Sequence, residues 1–123
     1  MCGIAGIFRT NSNITERDRF LLKNMINIIR HRGPDDEGVY ESKHCLMGHR
    51  RLAVIDLVRG GQPMFNEDKS IVVTYNGQIY NYKELREILV GRGHRFFSES
   101  DTEVIIHAYE EWQENCFIKF DGM

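Results

Sequence analysis

Directly behind Met1 and Cys2 the chain runs Gly3-Ile4-Ala5-Gly6-Ile7-Phe8 without a polar side chain. A continuous apolar run of this length, ended by Arg9, predicts a strand buried on both faces, and such a strand demands a layered fold with other elements above and below it. The next segment supplies one covering element. Thr15 can cap a helix, Asp18 puts negative charge in its first turn, and Leu21, Leu22, Met25, Ile26, Ile28 and Ile29 recur at helical spacing. Arg30-His31-Arg32 places positive charge in the last turn and Gly33-Pro34 stops the helix. Short strand-like runs follow at Val39-Tyr40 and over 45–48, 52–55 and 71–75, the later ones separated by turn residues at Gly60-Gly61 and 66–69. Two more helices are predicted. One covers 82–90, with Asn81 as cap, Glu84 three residues on, apolar Leu85, Ile88 and Leu89, and Gly91 beyond its end. The other starts at Ser100, with Glu103 completing a capping box and Val104, Ile105, Ala108, Tyr109 and Trp112 turned inward. Strands and helices are segregated rather than alternating, so the expected class is α+β with helices covering sheet faces.

With 123 residues this is at most one domain, 41% of it hydrophobic and 28% charged, which excludes a disordered chain. Sixteen Lys and Arg against 18 Asp and Glu leave a net charge of −2, so no nucleic-acid or membrane-surface partner is expected. No stretch approaches the ~20 apolar residues of a membrane span, and polarity from Arg9 onward argues against a signal peptide. Cys2, Cys45 and Cys116 are odd in number and lack paired spacing, which fits a reducing, cytoplasmic setting. His31, His44, His49, His94 and His107 form no His-x-x-x-His, and no Cys-x-x-Cys occurs, so no metal site is expected. No phosphate-cradling glycine loop is present. The apolar end, Phe117 to Met123, reads as a cut.

Cys2 carries the most chemistry. Aminopeptidase removal of Met1, favoured by a small second residue, would join a thiol and a free α-amine in one residue, a nucleophile with its own general base. A free thiol titrates near 8.5 and an α-amine near 8, so moving the proton between them costs roughly 1 kcal/mol. The plain alternative is a small apolar residue opening a buried strand. Asn76-Gly77 reads two ways, as the turn of a hairpin between 71–75 and 78–80, or as an oxyanion hole built from an amide NH₂ and a backbone N–H. In Arg50-Arg51, an arginine facing a cleft can grip a carboxylate through two parallel hydrogen bonds, or it can be structural. Ser100-Asp101-Thr102-Glu103 is a helix start, and its aspartate can instead hold an ammonium.

Taken in order, Met1-Cys2-Gly3-Ile4-Ala5-Gly6, Arg30-His31-Arg32-Gly33-Pro34-Asp35, His49-Arg50-Arg51-Leu52-Ala53-Val54-Ile55-Asp56, Asn76-Gly77-Gln78-Ile79-Tyr80-Asn81 and Ser100-Asp101-Thr102-Glu103 closely resemble the class II glutamine amidotransferase domain, nearest its asparagine synthetase branch. The resemblance spans Cys2 to Met123 and implies an N-terminal-nucleophile hydrolase fold, a four-layer αββα sandwich with two antiparallel sheets, incomplete in this chain. It implies hydrolysis of L-glutamine to glutamate and ammonia through a Cys2 thioester, the ammonia serving asparagine synthesis, with a different acceptor or a non-catalytic module of the same fold as alternatives. It makes Cys2 the nucleophile, Asn76 and Gly77 the oxyanion hole, Arg51 the clamp on the substrate α-carboxylate and Asp101 the partner of its α-amine, with Leu52, Ala53, Val54 and Ile55 lining the pocket. Gln78 is a departure, standing where the family usually has Glu beside the substrate ammonium. The resemblance also implies further strands and a separate synthetase domain that this chain lacks. That domain would carry ATP and magnesium, so no cofactor is expected here, residues 1–123 alone are expected to fold poorly, and a homo-oligomer stays open.

Overall fold

Gly3–Phe8 forms the first strand, β1, in a computed structural model that describes residues 2–53, 56 and 58–123. Among the described residues the chain is α+β, with two small antiparallel sheets and three α-helices, and it divides into two compact units. The predicted removal of Met1 and the pocket positions Val54 and Ile55 lie outside the described residues.

The first unit takes in residues up to Ala53, with Gly61–Pro63 and Thr74–Asn76. Its sheet has the order β1-β3-β2, where β2 is Asp36–Glu41 and β3 is Cys45–Arg51. Strand β3 is central, matching Gly3 to Arg50 and Phe8 to Cys45 on one side and Asp36 to Arg51 on the other. Helix α1, Glu16–Ile28, packs on this sheet and closes a core of Ile14, Leu22, Ile26 and Leu46, with Ala5 and Ile7 against it. The capping signal is realised in full. The Thr15 hydroxyl accepts from the Asp18 N–H, and the Asp18 carboxylate accepts from the Thr15 N–H at 2.9 Å. Gly48 lets the helix approach, because a Cβ there would lie 2.4 Å from the Ile26 Cδ1.

Three expectations need correction in this unit. Strand β1 is buried on one face only; Ile4 and Phe8 are 50% and 69% exposed, so the continuous apolar run hides an alternation. Only Leu22 and Ile26 of the helical stripe are buried, while Leu21, Met25 and Ile28 are exposed. The helix ends at Ile28 and tightens into a 3₁₀ turn, Ile29–Arg32, before Gly33.

The second unit comprises Val54–Gly60, Met64–Val73 and Gly77–Met123. Here β4, Met64–Phe65, pairs with β5, Val72–Val73, across a turn in which Lys69 has φ 61°. Helices α2, Tyr82–Gly91, and α3, Asp101–Trp112, pack on each other, and α3 also covers β4 and β5. Leu85, Leu89, Val104, Ile106, Ala108 and Cys116 are buried, with Ile106 taking the inward position expected for Ile105.

The predicted hairpin at Asn76-Gly77 does not form. The partner of β5 is β4, Ile79 bridges to Gly122, and neither Asn76 nor Gly77 has the positive φ that the favoured two-residue turn requires. Two capping expectations also change. Asn81 makes no side-chain cap; its amide donates to the Lys119 carbonyl at 2.9 Å and its oxygen accepts from Asp121 N–H at 3.0 Å. Ser100 caps α3 through the Thr102 N–H, but Glu103 reaches past the cap to the N–H groups of Phe97 and Ser98. Among the described residues, no helix is long and apolar enough to cross a membrane.

Candidate active site

Side chains on a strand alternate between faces, and this parity sorts the motif residues of β3. Gly48 and Arg50 point toward α1. The Arg50 guanidinium is engaged by Glu37 at 2.5 Å, by the Ile26 carbonyl at 3.3 Å and by the Asn27 side-chain oxygen at 3.3 Å. Arg50 is therefore structural. His49 and Arg51, both buried, belong to the opposite face. Continuing the pairing of Gly3 with Arg50 by one residue sets Cys2 opposite Arg51, on that same face.

The half-buried Cys2 is held through its sulfur and its carbonyl oxygen. Its Sγ accepts from the Leu52 N–H at 3.3 Å and lies 3.7 Å from the Leu52 carbonyl. Its own carbonyl accepts from Arg32 Nε at 3.0 Å. Ala53 is fixed in turn, its N–H donating to the Asp35 carboxylate at 2.9 Å, and the Asp35 N–H donates to the Arg51 carbonyl at 3.0 Å.

These contacts give the Arg32-Gly33-Pro34-Asp35 segment a role that the sequence reading missed. Arg32 and Asp35 clamp Cys2 and the chain just after β3 from two sides. Gly33 permits the approach, since a Cβ there would meet the backbone carbonyl of Arg50 at 2.4 Å. In sequence the segment looked like helix punctuation. The further signal was its place among the five family motifs, which carried no role for Arg32 or Asp35.

Asn76 belongs to the same unit, at the end of a segment tied down through Tyr75. The Tyr75 N–H donates to Gln62 Oε1 at 2.6 Å, and the Tyr75 carbonyl faces His49 Nε2 at 3.3 Å. Burial pushes the His49 imidazole below its usual titration range, outweighing the hydrogen bond to Tyr75, and Arg51 adds to the shift. The ring is therefore neutral near pH 7, and it props the residue before Asn76.

Gly77, Gln78 and Asp101 belong to the second unit. Gly77 sits at a bend. Gln78 is exposed, and its backbone exchanges two 2.9 Å hydrogen bonds with Met123. The buried Asp101, first residue of α3, accepts the Ile79 N–H on Oδ2 at 2.9 Å and so fixes the chain immediately after Gln78. Ser100 is the cap of α3, and the Asp101 carboxylate ties the helix start to the chain just after Gln78.

The chain belongs to the glutamine amidotransferase domain family, which it matches over residues 1–123. Its relatives are more particular. It is 42% identical to the glutamine-hydrolysing asparagine synthetase 1 of Bacillus subtilis, 44% identical to asparagine synthetase 1 of Lotus japonicus and 45% identical to the asparagine synthetase of Brassica oleracea. Each comparison covers 100% of this chain and 20% of the relative, so the chain spans about a fifth of the length of the curated relatives it matches.

Proposed function

We propose that this chain hydrolyses L-glutamine to glutamate and ammonia with Cys2 as nucleophile, and that the ammonia is used for asparagine synthesis in an ATP- and magnesium-dependent domain of the whole protein. The observation that carries the reading is the Cys2 thiol held by the Leu52 N–H at 3.3 Å, in a member of the glutamine amidotransferase domain family. The fold it implies is the four-layer αββα sandwich of the N-terminal-nucleophile hydrolases.

Removal of Met1 frees the Cys2 α-amine. That amine takes the thiol proton, and the thiolate attacks the side-chain amide carbon of glutamine. The oxyanion formed is stabilised by the Asn76 side-chain NH₂ and the Gly77 N–H. As the C–N bond breaks, the α-ammonium returns its proton to the leaving nitrogen, giving ammonia and a Cys2 thioester. Water, deprotonated by the same amine, then attacks the thioester, releasing glutamate and restoring the thiol. Glutamine binds as a zwitterion. Arg51 takes its α-carboxylate through the guanidinium fork, Asp101 takes its α-ammonium, and the backbone from Leu52 to Ile55 lines the pocket. The site works in the cytoplasm, where free thiols persist.

Glutamate release from glutamine by the native protein and by Cys2→Ala tests the proposal. Release is expected from the first and lost in the second, while ammonia-dependent synthesis by the whole protein survives the substitution. Equal loss of both activities contradicts the assignment.

A further inference from the structure

Two imidazoles of the second unit converge on a single carboxylate oxygen, with two further carboxylates behind them. His94 follows α2 and the left-handed Gly93 (φ 100°), and its Nδ1 lies 3.2 Å from Glu110 Oε2. His107, buried on α3, brings its Nδ1 to 2.8 Å from the same oxygen. The other oxygen of Glu110 is taken by the Asn66 amide at 2.8 Å, which turns Oε2 toward the two rings. Behind each ring stands a further carboxylate: Glu111 Oε2 lies 3.0 Å from His94 Nε2, and Glu103 Oε1 lies 3.5 Å from His107 Nε2.

We propose that His94, His107 and Glu110 form a binding site for a divalent transition-metal ion of the zinc class. One ligand atom from each residue lies within 4.8 Å of the others. Tetrahedral zinc, with bonds of about 2.0–2.1 Å, sets its ligands about 3.3 Å apart, so the separations of 2.8 and 3.2 Å to Glu110 need only small adjustments. The backing carboxylates supply what metal-bound histidines require, an acceptor for the second ring N–H that fixes the tautomer and raises the basicity of the ligating nitrogen. Two imidazoles and one carboxylate select zinc, cobalt or nickel over calcium and magnesium. The side chains of His94 and Glu110 are 17% and 23% exposed, which gives an ion a way in and leaves the fourth position to water. Burial pushes the His107 imidazolium down, but Glu103 and Glu110 outweigh it and raise it overall. A metal would tie α3 to the segment after α2.

The test uses the protein expressed without a histidine tag, stripped with chelator and titrated with cobalt chloride, with folding checked by circular dichroism. One equivalent of cobalt should produce the visible bands of a tetrahedral site, and one equivalent of zinc chloride should abolish them. Glu110→Gln and His94→Ala should remove the bands, while His44→Ala, outside the cluster, should keep them. Glu111→Gln should weaken binding about 10–100-fold, the usual effect of losing the acceptor behind a metal-bound imidazole. If the folded native protein takes up no stoichiometric cobalt or zinc, or if folded Glu110→Gln or His94→Ala binds as the native protein does, the cluster is an ion-pair network and the proposal is overturned.

Discussion

Neighbouring residues in this chain take opposite duties for reasons of parity. Arg50 is spent on Glu37, Asn27 and the end of α1, whereas Arg51 faces the side of the sheet that also carries His49. Replacing Arg51 by Lys keeps the charge but loses the two-pronged geometry, so KM should rise with kcat little changed in steady-state glutaminase assays. Asn76→Ala should lower kcat by roughly 10²–10³, the cost of one oxyanion donor; an unchanged kcat would remove Asn76 from the mechanism. Gln78 offers a gain of function. Gln78→Glu restores a negative charge beside the proposed substrate ammonium, and KM for glutamine should fall; a higher or unchanged KM would show that position 78 does not sense the ammonium.

At the scale of elements, the sequence reading was strongest where the signal was local. Thr15 caps α1 as expected, and Asp18, three residues on and expected only as first-turn charge, closes a capping box with it. Arg9 and the Thr15 N–H hold the Asp18 carboxyl well below the usual carboxylate range. A lowered carboxylate contributes stability above its unfolded value, about pH 4, and loses it as pH falls toward the folded value. The difference in thermal midpoint between the native protein and Asp18→Asn should thus be full above pH 4 and shrink on further acidification.

Where the partners are distant in sequence, the reading failed. No property of Asn76-Gly77 announces that Ile79 will bridge to Gly122, 43 positions on, instead of turning back on 71–75. The exposed face of β1 was illegible for a related reason, since six apolar residues in a row cannot say which of them alternate outward. The cluster at His94, His107 and Glu110 escaped notice because His94 is remote from the helical pair on α3. Glycines make the same contrast testable. Gly33→Ala sets a Cβ against the immobile backbone of Arg50 and should cost about 1–3 kcal/mol in denaturant melts. Gly48→Ala sets its Cβ 2.4 and 2.6 Å from Cδ1 and Cγ1 of Ile26, side-chain atoms that can shift further than the Arg50 backbone, and should cost less.

For the whole molecule, five short motifs in a fixed order carry the resemblance to the family that the chain belongs to. The roles of Arg32 and Asp35 were not legible, since they act through the Cys2 carbonyl and the Ala53 N–H, backbone groups that carry no residue-specific signal. The central claim is that one thiol of three does the chemistry. The most direct measurement is to treat the protein with a glutamine analogue bearing a diazo ketone and map the adduct by peptide mass spectrometry. The account predicts a single adduct on a Cys2 freed of Met1, formed in step with loss of glutaminase activity and prevented by excess glutamine. An adduct on Cys45 or Cys116 that tracks the loss of activity, or glutamine hydrolysis persisting in Cys2→Ala, would contradict it.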